Sequence, residues 1–202
     1  MDAFKTLTAI AAPLDLSNFD TDRIIPARFL HNSRTSGLEK FLFYYLRFDA
    51  EGRENPEFVL NKPDFRNARI LVAAASFGIG SSREAAVWAI AGYGFRVVIA
   101  SSFGDIFNEN SFKNGLLTIL LPSEALTRLR ESVHALPGKA MTVDLEQQRI
   151  IGPDGTDYHF EIDPFRKQCL LSGQDEIDLT LTYEADITSF EEQRRVNMPW
   201  LV

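Results

Sequence analysis

Residues 69–100 decide the fold: RILVAAA (69–75), SFGIG (76–80), SSREAAVWAIAGYG (81–94) and FRVVIA (95–100). RILVAAA is a short continuous apolar run of buried-strand type, and FRVVIA is a second. Between them, SFGIG reads as a turn and SSREAAVWAIAGYG as a helix stopped by Gly92 and Gly94. Strand, helix and strand within about 32 residues form a βαβ unit, which predicts parallel strands joined by a right-handed crossover.

The pattern continues outward in both directions. Toward the C-terminus come a shorter helix over 103–114, the strand LLTILL (116–121) and a helix over 122–136 with Pro122 and Glu124 in its first turn. MTVDLE (141–146), RIIG (149–152) and DYHFEI (157–162) predict antiparallel strands, with Pro153-Asp154-Gly155 turning between the last two, and helices follow. Toward the N-terminus, Leu7 to Ala12 reads as a short strand, followed by the turn-rich polar segment LSNFDTDRIIP (16–26). GLEKFLFYYLRF (37–48) is strongly aromatic and reads as a helix or an irregular clasp. DAEGRENPEFVLNKPDF (49–65) is loop-like because two prolines and a glycine interrupt it, and it reads as a lid or contact surface. No linker-like tract or repeat divides the chain, so the expectation is one α/β domain over 1–202 with a helical C-terminal tail from about 183.

Composition bounds the partners. The 202 residues carry 21 basic and 28 acidic side chains, a net charge of −7 that repels phosphate backbones, so general nucleic-acid binding is a poor fit. Any anionic ligand must find a local cluster of cations. The single cysteine, Cys169, rules out an internal disulfide, and a structural zinc or iron–sulfur site usually takes three or four such ligands. The opening MDAFKTLTAIAAPLD lacks a secretory pattern, and no apolar run approaches the ~18 residues of a bilayer span, which leads us to expect a cytoplasmic protein.

The chemistry concentrates at Gly78-Ile79-Gly80-Ser81-Ser82-Arg83-Glu84, where a strand gives way to a helix. The first helical N–H groups there lack partners and the macrodipole offers about half a positive charge, which suits a carboxylate or phosphate. Arg83 adds a planar, permanently charged fork matched to a carboxylate. The dinucleotide fingerprint fails because Arg83 stands where its third glycine belongs; the P-loop and the hydrolase elbow fail as well. The plainer alternative is a capping box in which Ser81 caps the helix and Glu84 closes the box, and it is compatible with ligand binding. A second constellation is Asn18 to Arg23, followed by Arg34. Asp20 and Asp22 alternate like calcium ligands, but the remaining residues of an EF-hand loop are missing and Asx-turn chemistry accounts for them as well. His31, His134 and His159 have no metal spacing.

NFDTDRIIPARFL, the SRTSG around Arg34, SFGIGSSREAAVWA, YGFRVVIASSFGDIFNENSFKNGLL and FEIDPFRKQCLLSGQDEIDLTL together resemble the 3-isopropylmalate dehydratase small-subunit family, the swivelling domain of the aconitase superfamily. The likeness spans about residues 5–185 in several ordered motifs. It implies a three-layer β/β/α domain, a large-subunit partner that carries a [4Fe–4S] cluster, and no cofactor on this chain. The implied reaction is a reversible dehydration that turns 2-isopropylmalate into 3-isopropylmalate in leucine biosynthesis, by a heterodimer or a dimer of heterodimers. It further implies that Ser81 is the alkoxide base, that Arg83 and Arg34 grip substrate carboxylates, that Ser82 donates a hydrogen bond, and that Asp22 organises the site.

Where this family usually reads G-C-G-S-S-R-E-H-A-P-W, the chain has Ile79, Ala85 and Val87 in place of the cysteine, histidine and proline. Two further readings therefore stay open: a sister hydro-lyase component acting on a methylmalate, dimethylmaleate or homoaconitate type of diacid, and a non-catalytic anion-binding module.

Overall fold

The computed structural model describes residues 1–31, 37–80 and 83–201. Its strands are β1 Thr6–Pro13, β2 Phe19–Asp20, β3 Ile70–Val72, β4 Phe77–Ile79, β5 Val97–Ala100, β6 Leu117–Leu120, β7 Ala140–Asp144, β8 Arg149–Ile151 and β9 Asp157–His159. The helices are α1 Thr21–Ile24, α2 Tyr44–Arg47, α3 Glu84–Tyr93, α4 Asp105–Lys113, α5 Ser123–Ala135, α6 Pro164–Ser172, α7 Glu176–Leu181 and α8 Glu184–Asn197.

Seven strands form one mixed sheet in the order β6-β5-β3-β1-β7-β8-β9. In its first half β6, β5, β3 and β1 run parallel; β7, β8 and β9 continue antiparallel from β1. The sequence explains the division. β3 and β5 are apolar at every position and every residue is buried, as strands covered on both faces must be. β7 alternates, burying Met141 and Val143 while Ala140 is exposed, because only one of its faces meets the core. Helix α5 packs on β1, and α4 packs on β6 and α3. The strand–helix–strand reading of 69–100 is thus observed, with β3 and β5 paired Ile70 to Val97.

Two local expectations are corrected, and a third, left open between two forms, is decided. SFGIG is not only a turn: Phe77–Ile79 is strand β4, paired in parallel with β2 in a separate two-stranded sheet. Helix α3 does not stop at Gly92 but continues to Tyr93, with Gly94 as its left-handed cap. A side chain at Gly92 would come within 3.2 Å of Glu39 Oε2, so that glycine serves close packing rather than termination. Residues 37–48 do not form one helix but take the irregular alternative. They fold as a 3₁₀ turn, Leu38–Phe41, and the short α2, separated by Phe43 in the left-handed region at φ 51°. Tertiary contacts impose that kink: Phe43 is fully buried, its N–H donates to the Ile24 carbonyl at 2.8 Å, and its ring meets Phe19 edge-on at 5.4 Å.

Among the described residues no helix is long and apolar enough to cross a membrane. From Leu181 to Trp200 every residue is exposed.

Candidate functional site

Segments that follow the carboxyl ends of three parallel strands converge. After β1, the Asn18 N–H donates to the Ala75 carbonyl and Phe19 N–H to the Ser76 carbonyl, both at 2.9 Å. After β5, the Ser102 carbonyl accepts from Phe77 N–H at 3.0 Å, and Ser102 Oγ accepts from Ser76 N–H at 2.8 Å. Segments 18–20, 75–79 and 102–104 therefore run side by side beyond the sheet, where open α/β folds place their ligand sites. Parallel strands put all three loops at one end, so residues distant in the chain become neighbours.

The approach of these loops depends on two glycines. Gly78 has φ 72°, and a Cβ there would lie 2.3 Å from Phe107 Cγ. A Cβ on Gly104 would lie 2.4 Å from the Gly78 carbonyl oxygen. Neither position tolerates a side chain without displacing backbone or a buried ring. Beneath the loops, Phe77 stacks on Phe19 at 5.6 Å and meets Phe107 edge-on at 5.3 Å, giving the site a rigid apolar floor.

The charged groups sit on that floor. Asp20 caps α1, its Oδ1 accepting from Arg23 N–H at 2.8 Å, so the Asx-type reading of this aspartate holds. Two residues on, in the first turn of α1, Asp22 Oδ1 accepts from Arg83 Nη1. Arg83 is only 20% exposed and Asp22 58%, so the guanidinium is held against the protein while the carboxylate faces solvent. Arg83 itself is the N-cap residue of α3, which begins at Glu84. Ser81, the other half of the expected capping box, lies outside the described residues; Arg83 stands at the cap, and Glu84 Oε1 accepts from Asn114 Nδ2 at 2.9 Å.

Of the residues singled out from sequence, Asp22 and Arg83 are brought together across the β2–β4 pair. Ser81, Ser82 and Arg34 lie outside the described residues. Gly80 and Arg83 are the described residues on either side of positions 81 and 82. Ile79 pairs with Asp20 in the small sheet, while Ala85 and Val87 are buried in α3, so two of the three departures from the family motif are packing positions.

Sequence reasoning missed Arg28 and Tyr45. With Asp20, Asp22, Arg23, Pro26, Ala27 and Leu46 they line a cleft of about 490 Å³ beside the ion pair. The Arg28 guanidinium lies over the rings of Phe29, Tyr44 and Tyr45 at 4.7, 5.0 and 5.1 Å. Arg28 stands inside a quoted motif and Tyr45 inside the aromatic run. Nothing local reveals that the two meet.

Cys169 is fully buried on α6, and among the described residues no three His, Cys, Asp or Glu side chains gather to hold a metal ion. His134 is half exposed on α5, with Nε2 2.9 Å from Asp15 Oδ2.

Residues 1–124 match the family model of the aconitase C-terminal domain, and 127–164 match the model described as LeuD_N. Residues 176–202 match the model for the C-terminal domain of the 3-isopropylmalate dehydratase small subunit. The chain is 53% identical over 201 residues to a Paramagnetospirillum magneticum protein and 52% identical to one from Afipia carboxidovorans, with 100% of each chain covered. Both relatives are named 3-isopropylmalate dehydratase small subunit. The crystal structure of a 3-isopropylmalate dehydratase from Methanocaldococcus jannaschii, 23% identical, superposes with a TM-score of 0.64 over 92% of this chain and 99% of that one, a likeness of fold.

Proposed function

The chain belongs to the family of 3-isopropylmalate dehydratase small subunits, hydro-lyase components of leucine biosynthesis, and on that premise we propose that it supplies one half of a site that interconverts 2-isopropylmalate and 3-isopropylmalate. The large subunit supplies the other half and holds the [4Fe–4S] cluster; no step assigned to this chain passes through that cluster.

The observation that carries the reading is the Asp22–Arg83 pair at the start of α3, directly after positions 81 and 82. Arg83 presents a fixed guanidinium to a substrate carboxylate, and Asp22 holds its orientation by accepting one N–H while leaving others to the ligand. Arg34 takes a second carboxylate and Ser82 donates a hydrogen bond. Ser81, as alkoxide, removes the proton from the carbon next to a carboxylate, hydroxide departs from the neighbouring carbon, and rehydration in the opposite sense gives the isomer. A serine is far too weak an acid to do this unaided, so the helix N-terminus and the guanidinium must stabilise the anion. Closure of the two halves excludes water and strengthens both effects. The chain sits within one aconitase-like domain over 1–202, its helical tail beginning near 183.

The test is reconstitution with the large subunit, followed by assays of 3-isopropylmalate beside methylmalate and other small diacids. Preferential turnover of the isopropyl substrate is expected. Selective turnover of a diacid without that group would replace the substrate assignment, and absence of turnover with every diacid would reject the enzyme reading.

A further inference from the structure

The C-terminal segment breaks the rule that governs the rest of the chain. Tyr183, Ile187 and Phe190 follow the i, i+4, i+7 spacing of one helix face, Val196 lies on the opposite side of the helix, and Met198 and Trp200 add apolar surface just beyond it. Such a stripe normally faces a core. Here Phe190 is 63% exposed, Trp200 74% and Val196 80%. Among the described residues, the only substantial packing of α8 is against the 3₁₀ turn Pro199–Leu201 that follows it. A helix of 14 residues with no tertiary cover is marginal in water, so α8 requires an external surface to be fully formed.

The large apolar residues exposed between Ile177 and Trp200 together present on the order of 1,000 Å², against the ~800 Å² that each partner contributes to a standard stable interface. That is enough for one side of a specific contact. The distribution of family matches indicates its occupant. The aconitase C-terminal domain model covers 1–124; beyond it, 127–164 matches the LeuD_N model and is folded into α5 and β7 to β9, whereas 176–202 is matched by a model of the dehydratase small subunit and is the part left uncovered. A domain named as the C-terminal part of a longer chain is held beside its neighbour by a covalent link. When the same domain is a separate polypeptide, that effective concentration is lost and a non-covalent contact must replace it.

The root of the tail supports the same conclusion. The Met1 ammonium donates to the Gly173 carbonyl at 3.0 Å, Phe4 N–H donates to the Leu170 carbonyl at 2.8 Å, and Arg96 Nη1 reaches Asp2 Oδ2 at 3.1 Å. These contacts lie at the amino ends of the parallel strands, opposite the loops that carry Asp22 and Arg83. An arm that starts there, with a helix of ~21 Å, grips a partner without covering the mouth of the site.

We propose that α7, α8 and the turn after them form the arm by which this chain docks onto an apolar groove of the large subunit, holding the two halves together while leaving the catalytic mouth free to open and close. The proposal rests on the large-subunit reading given above.

The experiment uses the full chain and its cognate large subunit. Phe190→Ser with Trp200→Ser is compared with the wild type, and Ile187→Asp serves as an independent variant. Affinity is measured by titration calorimetry, and turnover at saturating large subunit. Each side chain is exposed, so the isolated variants should keep the wild-type circular dichroism and melting temperature. Affinity for the large subunit should fall roughly 100-fold, as expected when two interface anchors are lost, with turnover at saturation within about twofold of wild type. Unchanged affinity would overturn the proposal. So would a variant that binds the large subunit normally but loses self-association of the small subunit, since a second copy would then be the occupant. If the wild-type pair itself neither assembles nor turns over substrate, the functional reading fails first; if the wild type works and the variants assemble equally well, only the docking arm fails.

Discussion

Arg83 donates from Nη1 to Oδ1 of Asp22, a residue 61 positions earlier in the chain, and this contact joins α1 to the start of α3. A guanidinium pinned from one side keeps its remaining N–H groups in a known direction, and the proposed function assigns them to a planar substrate carboxylate.

Replacing the holder should therefore weaken substrate binding more than folding. Asp22→Asn in the reconstituted complex is expected to raise KM by about tenfold or more, while thermal stability changes by less than ~1 kcal/mol because the pair is partly exposed. Steady-state kinetics beside a melting curve separates these effects, and a large stability loss with unaltered KM would make Asp22 a structural residue only.

Ser81→Ala tests the base. Removing a group that transfers a proton in the transition state costs on the order of 10²–10⁴-fold or more in kcat, with assembly unaffected. Rapid-quench or steady-state turnover at saturating diacid reads this directly. Near-normal kcat would place the proton transfer elsewhere.

The close approach of the loops predicts a severe packing defect at Gly78. In Gly78→Ala the new methyl would meet Phe107 at 2.3 Å in a backbone held at φ 72°, and a loss of roughly 2–4 kcal/mol is expected from overpacking and strain combined. Urea denaturation measures it. Gly78→Ala should cost less in a Phe107→Ala background than in the wild type, because two of the ring atoms that the methyl strikes, Cγ and Cδ1, are then gone.

Acid should loosen the root of the arm. The Asp175 carboxylate caps α7, accepting from Asp178 N–H at 2.8 Å and Ile177 N–H at 2.9 Å; the Asp178 N–H is the main cause that holds it below the ordinary carboxylate range. Its folded value lies below the unfolded one, so its contribution is present above the unfolded carboxylate range and is lost as pH falls through the lowered value. Amide exchange across 176–181 should rise in that acid window for the wild type. Asp175→Asn, a neutral cap, should remove the pH dependence without abolishing the helix.

Much of the architecture was legible because periodicity is local. Continuous apolar runs identified β3, β5 and β6, alternation and a Pro-Asp-Gly turn identified β7 to β9, and the glycine-led motif before α3 drew attention to Arg83. The errors occurred where tertiary packing overrides local preference. Phe43 adopts a left-handed backbone because its ring is needed beside Phe19, and SFGIG becomes a strand because β2 lies alongside to pair with it.

The sequence by itself determined the order of elements, the chemical groups available and the family. These depend on residue type and on spacing along the chain, both of which are written in it. Only the tertiary structure decided that Asp22 meets Arg83, that Arg28 lies over Tyr45 in the adjoining cleft, and that the apolar stripe of α8 is left uncovered. Such relations arise from strand register and from which faces find a partner, and no local pattern encodes the distance between segments that only folding brings together.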